Sequence, residues 1–366
     1  MKPLSVIAFL RGSFSKMLPM IITVSLCVAI LYFLAMFSEQ LDMQSKETSI
    51  YTLENMSLVL GDKTGISKDD MKNIAANSGD SKIFGIGLFD IKHHAIVGGS
   101  SPAYILMLEQ KDIIQIMELK DFKLVEGHLP QKPKEIILHK KLALDYGLKP
   151  GSIVEKNTEG WFVNAEVKIV GIFEGRGFMG IGMEDKSLLQ LGDPYVSLAI
   201  FNNENSLKVI NKYIEKNFSE KYRSYTIDVQ KSLMDKNNGS IAAMKLFIGI
   251  VLVCVIGVFL VNITTIQYSV RKKELELLHA IGYTRKYVLK KSLKEIGIAA
   301  FIGYLGGILL AIAIGWGINI CFLSEKGMDF TLILTKSMLT MLLVPLAIVL
   351  ISMRAPLKQT KLMDLV

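Results

Sequence analysis

The chain has 366 residues, is 51% hydrophobic and carries a net charge of +8. Long apolar runs lie at 17–38, 246–270, 296–324 and 330–353, and each is long enough to cross a bilayer as a helix that satisfies its own backbone hydrogen bonds. This layout excludes most soluble enzymes and predicts a membrane protein with one spanning helix, a large water-facing domain and three closing helices.

The basic surplus lies beside the apolar runs. Residues 1–16 carry three Lys or Arg and no acid, 271–295 carry eight against three Glu, and 354–366 carry three against one Asp. Segment 39–245 is nearly balanced, with 26 basic and 28 acidic residues. Short positive segments stay in the cytoplasm, so both termini and 271–295 are predicted inside and 39–245 outside. Because topology accounts for the surplus, no nucleic-acid partner is expected.

These patterns predict a membrane α-helical fold with four transmembrane helices, arranged 1+3, and a large extracytoplasmic α/β domain between helices 1 and 2. The first run has 22 residues, longer than the core of a signal peptide, and is predicted to be a retained helix. In chain order we expect a cytoplasmic N-terminal segment 1–16, a first span 17–38, the extracytoplasmic domain 39–245, a second span 246–270, a cytoplasmic coupling loop 271–295, a third span 296–324, a fourth span 330–353 and a cytoplasmic tail 354–366.

Local signals in the large domain predict mixed α/β structure. They indicate a capped helix at 67–76, a strand at 135–139, a helical turn at 140–146 that ends at Gly147, a type II turn at 149–152, strands at 163–169 and 195–201 and an amphipathic helix at 207–218. The three cysteines, Cys27, Cys254 and Cys321, all fall within predicted spans. The domain therefore has no disulfide framework and must fold through its own core.

The segment after the second span predicts a short amphipathic helix. Leu277, Leu278 and Ile281 share one face, Gly282 permits a sharp reversal, and Thr284 is placed to cap the next helix. Such a helix can lie on the membrane surface or dock into a partner. The alternative, a solvated basic loop that only anchors topology, is the default for a generic membrane protein.

Small residues recur every four positions along the predicted third span. Ala299, Gly303, Gly307, Ala311 and Gly315 form a ridge that lets another helix approach closely. The ridge is interpreted either as packing within one protomer or as a dimer face, and the sequence leaves both open. Pro345 is expected to kink the fourth span.

Several constellations carry no chemistry on this interpretation. Gly175–Gly180 fits GxGxxG, but nucleotide binding requires a following helix within a βαβ unit, so a flexible external loop is preferred. The histidine pair His93 and His94 has no further ligand group at metal spacing. The sequence contains no P-loop and no credible nucleophile with a base, so neither ATP hydrolysis nor another enzymatic activity is expected.

The predicted cytoplasmic segment also contains a pattern of residues formed by Arg271, Glu274, Leu278, Ala280, Gly282, Thr284 and Arg285. This pattern resembles the signature of MacB/FtsX-like permeases, the membrane subunits of mechanotransmitting (type VII) ABC transporters. His279 stands at a position that is often basic in that family, and Tyr283 replaces the usual small residue. The 1+3 layout is similar. So are Val125–Pro130, Glu135–His139, Leu142–Ala143, Tyr146–Ser152 and Val170–Ile172, which resemble the MacB-type periplasmic domain.

The resemblance implies partners and a location. Two permease protomers pair, as a homodimer or a heterodimer, and each docks a separate cytoplasmic ABC ATPase, which binds ATP and Mg. The protein would lie in a bacterial cytoplasmic (inner) membrane, in contact with lipid. The docking residues would be Arg271, Glu274, Leu277, Leu278, Ala280, Ile281, Gly282, Tyr283, Thr284 and Arg285.

Two functions are compatible with this resemblance. The first is export or extrusion of an amphiphilic compound, such as a peptide, an antibiotic, a lipid-linked molecule or haem. The candidate contacts for haem are Tyr32, Met36 or the Met-rich ends of the spans. The second is an FtsX-like regulator that activates an external partner, such as a cell-wall hydrolase, without transport. The large domain favours the first. A membrane-anchored hydrolase or sensor would need a catalytic or signalling module that the sequence lacks.

Overall fold

The computed structural model of the chain describes residues 6–61, 65–94, 100–156, 158–162, 166–184, 197–270, 273, 277–278 and 280–352. The fold divides into two compact units. The apolar unit comprises residues 1–40, 240–319 and 330–366, and the α/β unit comprises residues 41–239 and 320–329. The chain passes between the units four times, so neither unit is a single continuous segment.

The described helices are α1 (Val6–Ser45), α2 (Lys68–Ala76), α3 (Gln110–Leu119), α4 (Lys140–Asp145), α5 (Glu204–Phe218), α6 (Ile227–Val270), α7 (Arg285–Ile318), α8 (Thr335–Met341) and α9 (Leu343–Ser352). Short π-helical segments follow α1 at Lys46–Tyr51 and α7 at Asn319–Leu323, and a 3₁₀ turn covers Ser324–Lys326.

Within the described residues, two helical stretches are long and apolar enough to cross a membrane, Met17–Tyr51 and Lys290–Lys326. They overlap the first and third predicted spans. Thr335–Ala347 is a shorter apolar stretch in the region of the fourth span. A helix occupies the region of the second span as the C-terminal part of α6.

The region of the predicted fourth span is not one continuous helix from residue 330. Residues 330–334 are not helical, α8 begins only at Thr335, and the helix breaks at Leu342. Pro345 lies in the first turn of α9, where a missing N–H costs little. A helix continued through this point would leave the Met341 carbonyl without its donor, so the predicted kink at Pro345 is realised as a break.

Side chains satisfy the backbone of this irregular stretch. The Tyr32 hydroxyl accepts from the Leu334 N–H at 2.9 Å and donates to the Leu332 carbonyl at 3.0 Å. The Asn319 amide makes two bonds to the backbone of Phe330, at 2.7 and 3.1 Å. In an apolar environment no water is available to bond the N–H and C=O groups of non-helical backbone. The side chains of Tyr32 and Asn319 supply these bonds in place of water.

The described part of the α/β unit contains ten strands. They are β1 (Met56–Leu60), β2 (Lys82–His94), β3 (Ser100–Leu108), β4 (Lys123–Gly127), β5 (Glu135–His139), β6 (Ile153–Val154), β7 (Val167–Glu174), β8 (Met179–Met183), β9 (Ser197–Phe201) and β10 (Arg223–Tyr225). Their order is β10-β1-β9-β2-β3-β8-β5-β7-β4, and β6 pairs with β7. The pairs β3–β8 and β5–β7 are parallel and the others are antiparallel.

The central strands are buried on both faces. In β9, Leu198 and Ile200 pack in one cluster with the apolar face of α5, whereas Ala199 and Phe201 belong to the cluster that α3 covers. This explains the continuous apolar run of β9, since a strand with one solvated face would alternate.

Most local predictions for this unit are confirmed. Strand β5 has the predicted bounds, α2 starts at Ser67, whose hydroxyl accepts from the Asp70 N–H, and α5 buries the apolar positions of its predicted face. After α4, the Leu148 N–H bonds the Ala143 carbonyl and the Gly147 N–H bonds the Leu144 carbonyl, which is a Schellman cap. The predicted strand at 163–169 is observed from Val167, and positions 163–165 lie outside the described residues. Of the strand predicted at 195–201, positions 197–201 are described, and they form β9.

Two motifs that lie far apart in sequence meet at the sheet edge. Gly127 of β4 pairs with Gly171 of β7, and the His128 N–H bonds the Val170 carbonyl at 3.0 Å. A Cβ on Gly127 would lie 2.1 Å from the Val170 oxygen, and Gly127 has φ +80°. Only glycine fits this crossing.

A buried lysine caps the C-terminal end of the first helical segment. Lys120 is 8% exposed, and its ammonium donates to the carbonyls of Tyr51, Thr52 and Glu54 at 3.2, 3.0 and 2.8 Å. A cation at a helix C-terminus satisfies carbonyls that lack helical partners. Burial, partly offset by the nearby Glu54 carboxylate, lowers the pKa of Lys120 to about 8.

We expect Lys120→Met to destabilise the α/β unit by ~1–3 kcal/mol, because it leaves buried carbonyls without a donor. The measurement is urea unfolding followed by tryptophan fluorescence in a Trp316→Phe background, in which Trp161 reports on this unit alone. Lys123→Met, at an exposed position of β4, is the matched control. Equal unfolding midpoints for the two variants would contradict the capping role.

Candidate functional site

The predicted ATPase-docking segment is described only in part. Arg271 and Glu274 lie outside the described residues, as does His279. Leu277, Leu278 and Ala280 are helical, and the Ile281 N–H bonds the Leu277 carbonyl at 3.1 Å.

The reversal after this short helix is at the predicted glycine. Gly282 has φ +97°, a conformation that other residues rarely adopt, and a Cβ there would meet nothing within 4 Å. Thr284 occupies the N-cap position of α7 with extended backbone, although its hydroxyl makes no capping bond, and Arg285 begins the helix. Leu277 and Ile281 are mostly exposed, whereas Leu278 and Tyr283 pack against the core of the apolar unit.

The small-residue ridge of α7 packs against α1 of the same chain. Ala299 and Ala311 are fully buried in the core that contains Met20, Val24 and Val28. A Cβ on Gly303 would lie 2.7 Å from that of Val24.

At the other glycines of the ridge the approach is similar. A Cβ on Gly307 would lie 2.6 Å from the backbone carbonyl oxygen of Ser25, and one on Gly315 would contact the side chains of Leu332 and Met36. The Ser25 hydroxyl also donates to the Gly303 carbonyl at 3.0 Å. Of the two interpretations of the ridge, the contacts favour packing within one protomer.

We expect Gly303→Ala and Gly307→Ala to destabilise the apolar unit by ~1–3 kcal/mol, since each added methyl overpacks the contact with α1. Gly317→Ala, on the same helix with open space around its Cβ, is the matched control and should be neutral or slightly stabilising. The measurement is the thermal stability of the detergent-solubilised chain by size-exclusion chromatography. Three indistinguishable midpoints would refute the close approach.

Tyr32 and Met36, considered above for haem, are both completely buried in the core of the apolar unit. The Tyr32 hydroxyl is engaged by backbone, and the Met36 side chain packs near Gly315. Their positions are explained by packing and backbone satisfaction.

The glycine loop of the α/β unit lines a cavity of about 470 Å³. Strand β7 ends at Glu174, and strand β8 begins at Met179, so a strand and not a helix follows the GxGxxG sequence. The helix that dinucleotide binding requires is therefore not present among the described residues at this motif, and the loop itself is limited to residues 175–178, since Met179 and Gly180 belong to β8. Gly177 has φ +115°, and a Cβ there would lie 3.2 Å from the Thr52 backbone.

Three ion pairs surround this cavity. Lys140 pairs with Glu174 at 2.5 Å, Lys141 pairs with Glu47 at 2.6 Å, and Arg176 pairs with Glu54 at 3.2 Å.

The segments around the cavity come from distant parts of the chain. Glu47 and Tyr51 belong to the π-helical segment after α1, and Gly327 follows the 3₁₀ turn. A Cβ on Gly327 would lie 3.2 Å from both the Lys141 Cα and the Leu144 side chain. Helix α4 is therefore the place where the end of the first helical segment and the segment 320–329 meet within the α/β unit.

His139 forms the floor of the cavity and is 6% exposed. Its Nε2 donates to the Gly175 carbonyl at 3.2 Å, and its Nδ1 accepts from the Lys141 N–H at 3.3 Å. One neutral tautomer satisfies both bonds. Burial is the main reason that the pKa of His139 is lowered to about 4.

The histidine pair is explained by one buried carboxylate. Asp145, the last residue of α4, accepts from His93 Nδ1 at 2.8 Å and from the His94 N–H at 3.0 Å, and His94 Nδ1 lies 3.1 Å from its other oxygen. Burial raises the pKa of Asp145, but the bonds from the two histidines outweigh it and hold the pKa below its usual value. Within the described part of the chain, no group of three His, Cys, Asp or Glu side chains is placed to hold a metal ion.

The lowered pKa of His139 predicts a pH-dependent stability. Between pH 6.5 and 4 the unfolded state takes up a proton that the folded state excludes, so the free energy of unfolding should fall by ~3 kcal/mol as the pH falls through this window. Above pH 6.5 the contribution is constant. The contribution of Asp145 is lost only at lower pH, as the pH falls through its depressed pKa.

The measurement is urea unfolding of the Trp316→Phe chain at pH 7 and at pH 4.5, with and without His139→Gln, which removes the titrating ring. The variant should lose less stability than the parent over this interval. Parallel losses in the two proteins would assign the pH dependence to other groups.

Several of these contacts have no signature in the local sequence. Lys120, Asp145 and the pair Glu47–Lys141 depend on tertiary contacts between residues 50 or more positions apart, and no local pattern marks them. One contact could have been anticipated from the sequence. A tyrosine within an apolar run indicates a hydrogen-bond partner nearby, because a buried phenol requires one, and Tyr32 bonds the Leu332 carbonyl.

Comparison with known proteins identifies the C-terminal region. Residues 246–363 match the family described as FtsX-like permease C-terminal. No curated protein sequence matches the chain significantly.

Two solved structures are similar to about half of the chain. The periplasmic region of MacB from Actinobacillus actinomycetemcomitans shares 11% identity over 52% of this chain and 98% of that one, with a TM-score of 0.30. The extracellular domain of the noncanonic ABC-type transporter YknZ from Gram-positive bacteria shares 11% identity over 46% of this chain and 99% of that one, also with a TM-score of 0.30.

The last third of the chain is thus similar to an FtsX-like permease domain, and the two long apolar helices support a membrane protein. Over this region the family match supports the predicted resemblance to MacB/FtsX-like ABC transporter permeases. Permeases of this family are membrane components of ABC systems, are generally not catalytic themselves, and work with ABC ATPase partners.

Proposed function

We propose that the chain is the permease subunit that transmits the ATP-driven motion of a separate ATPase to its α/β unit, and that this motion exports or extrudes an amphiphilic compound. The observation that carries the proposal is the FtsX-like permease match at 246–363, which contains the predicted coupling segment. On this proposal the chain spans a bacterial cytoplasmic membrane four times, with both termini and 271–295 inside and 39–245 outside. ATP and Mg belong to the partner, and a second permease protomer completes the transporter.

The geometry of the coupling segment supports docking. A short helix with exposed Leu277 and Ile281 ends in the left-handed Gly282 and is followed at once by α7. Exposed apolar side chains on one short helix suit a groove in a protein partner. Because the turn is short, a displacement of the short helix would act directly on the start of α7.

The α/β unit contains the contacts through which such a motion would be received. Helix α4 is held by Glu47, which follows α1 in sequence, and lies against Gly327, which follows α7. Both segments continue in sequence from the apolar helices. We infer that a displacement of either segment acts on α4 and on the cavity beside it.

The docking proposal is tested by the double variant Glu274→Lys, Gly282→Val. A β-branched residue at φ +97° is strained, and the open space around Gly282 means that a loss would not arise from a clash within this chain. We expect co-purification with the ABC ATPase and permease-stimulated ATPase activity to fall at least about tenfold, with membrane insertion unchanged.

The matched control is Glu220→Lys, which reverses an exposed charge after α5 and should leave coupling intact. Undiminished ATPase coupling in the double variant would remove the segment from the mechanism. ATP-dependent movement of an amphiphile in reconstituted vesicles supports export. A change in wall-hydrolase activity in cells lacking the gene, without such movement, would replace export by the regulatory function.

A further inference from the structure

We propose that the cavity beside the glycine loop of the α/β unit binds a small organic anion that has an apolar body. The cavity has a volume of about 470 Å³, which lies within the range of small-molecule sites. It is formed entirely by residues of the α/β unit. The proposal goes beyond the permease function, because it assigns a ligand to this unit without reference to the ATPase.

The walls of the cavity offer apolar contact. Phe178 is fully buried beneath it, with its ring 4.4 Å from that of His93, and Tyr51 and Leu144 supply further apolar surface. Small-molecule sites combine such walls with a few placed polar groups. The ligand therefore needs an apolar portion as well as a polar head.

The polar side chains that line the cavity have more hydrogen-bond donors than acceptors. The lining contains three cations, Lys140, Lys141 and Arg176, and two carboxylates, Glu47 and Glu174. Each carboxylate already accepts from a lysine, at 2.6 Å for Glu47 and 2.5 Å for Glu174.

A guanidinium has five N–H donors and an ammonium has three, so these cations have donor capacity beyond their protein bonds. Arg176 pairs with Glu54 at 3.2 Å through one nitrogen, and its guanidinium lies over the Tyr51 ring at 4.7 Å. His139 engages both ring nitrogens with backbone. A carboxylate or phosphate, which only accepts, is the head group that complements this lining.

The position of Arg176 gives the anion an anchor next to an aromatic wall. A planar guanidinium binds a carboxylate or phosphate through two parallel bonds. Because Arg176 is in the glycine loop, Tyr51 follows α1 and Lys140 begins α4, one ligand would contact all three segments. Binding would therefore stabilise the arrangement of the three segments around the cavity.

The test is isothermal titration calorimetry of the full chain in phosphatidylcholine nanodiscs, with empty nanodiscs as the blank. The probes are 6-phenylhexanoate and the matched cation 6-phenylhexylamine. We expect the anion to bind at least about tenfold more tightly than the amine. Arg176→Gln should weaken anion binding about tenfold, and Leu144→Trp, which fills the cavity, should abolish it.

Arg223→Gln, at an exposed arginine of β10, is the control for loss of one positive charge and should bind like the parent. In the Trp316→Phe background, Trp161 fluorescence verifies that Arg176→Gln and Arg223→Gln are folded, and circular dichroism does so for Leu144→Trp. The proposal is overturned if no heat is released at millimolar anion, if anion and amine bind equally, or if Arg176→Gln and Arg223→Gln weaken binding alike. A chain that couples to its ATPase but ignores the anion would refute the site and leave the permease function standing.

Discussion

The structure of the apolar unit depends on one constraint, the need of every backbone polar group for a partner where water is scarce. A long helix meets that need by itself, but residues 330–334 are not helical. Tyr32 and Asn319 supply their partners, and the Tyr304 hydroxyl donates to the Met338 carbonyl at 3.0 Å beside the break before α9. Tyr32, Asn319 and Tyr304 are thus placed where the backbone departs from helical geometry.

Helices α1 and α7 approach each other closely. The Ser25 hydroxyl of α1 donates to the Gly303 carbonyl of α7 at 3.0 Å, a bond that requires the two backbones to lie near each other. Only small residues fit that separation, and α7 supplies them at four-residue spacing. The ridge and the polar contacts are thus two aspects of one interface.

Local sequence patterns predicted the elements of the α/β unit well where the determining contacts are local. The Ser67 cap, the Gly147 helix end and the turn at Gly151 are specified by residues within a few positions of each other. The order of the strands, by contrast, follows from pairings such as β1 with β9. These strands are separated by more than 130 residues, and periodicity contains no information about partners at that distance.

The candidate sites show the same division. Gly282 and Thr284 were predicted at positions where the structure has a left-handed turn and a helix start, because those are local backbone properties. For the cavity next to Arg176, the sequence predicted only a glycine-rich loop without a function. The cavity itself could not be predicted, because its walls come from three distant segments. The start of the fourth apolar region was predicted as helix, but residues 330–334 are not helical. Hydropathy does not contain the information that this stretch takes hydrogen bonds from Tyr32 and Asn319.

Residues 320–329 group with the α/β unit although the chain places them between two apolar helices. Gly327 lies against α4, and its backbone at φ +67° admits no larger residue without strain. A soluble fragment cut out between residues 41 and 239 would therefore be missing a piece of its own surface. The Leu144 side chain would lose its contact with Gly327, so a structure of this fragment would lack part of the domain.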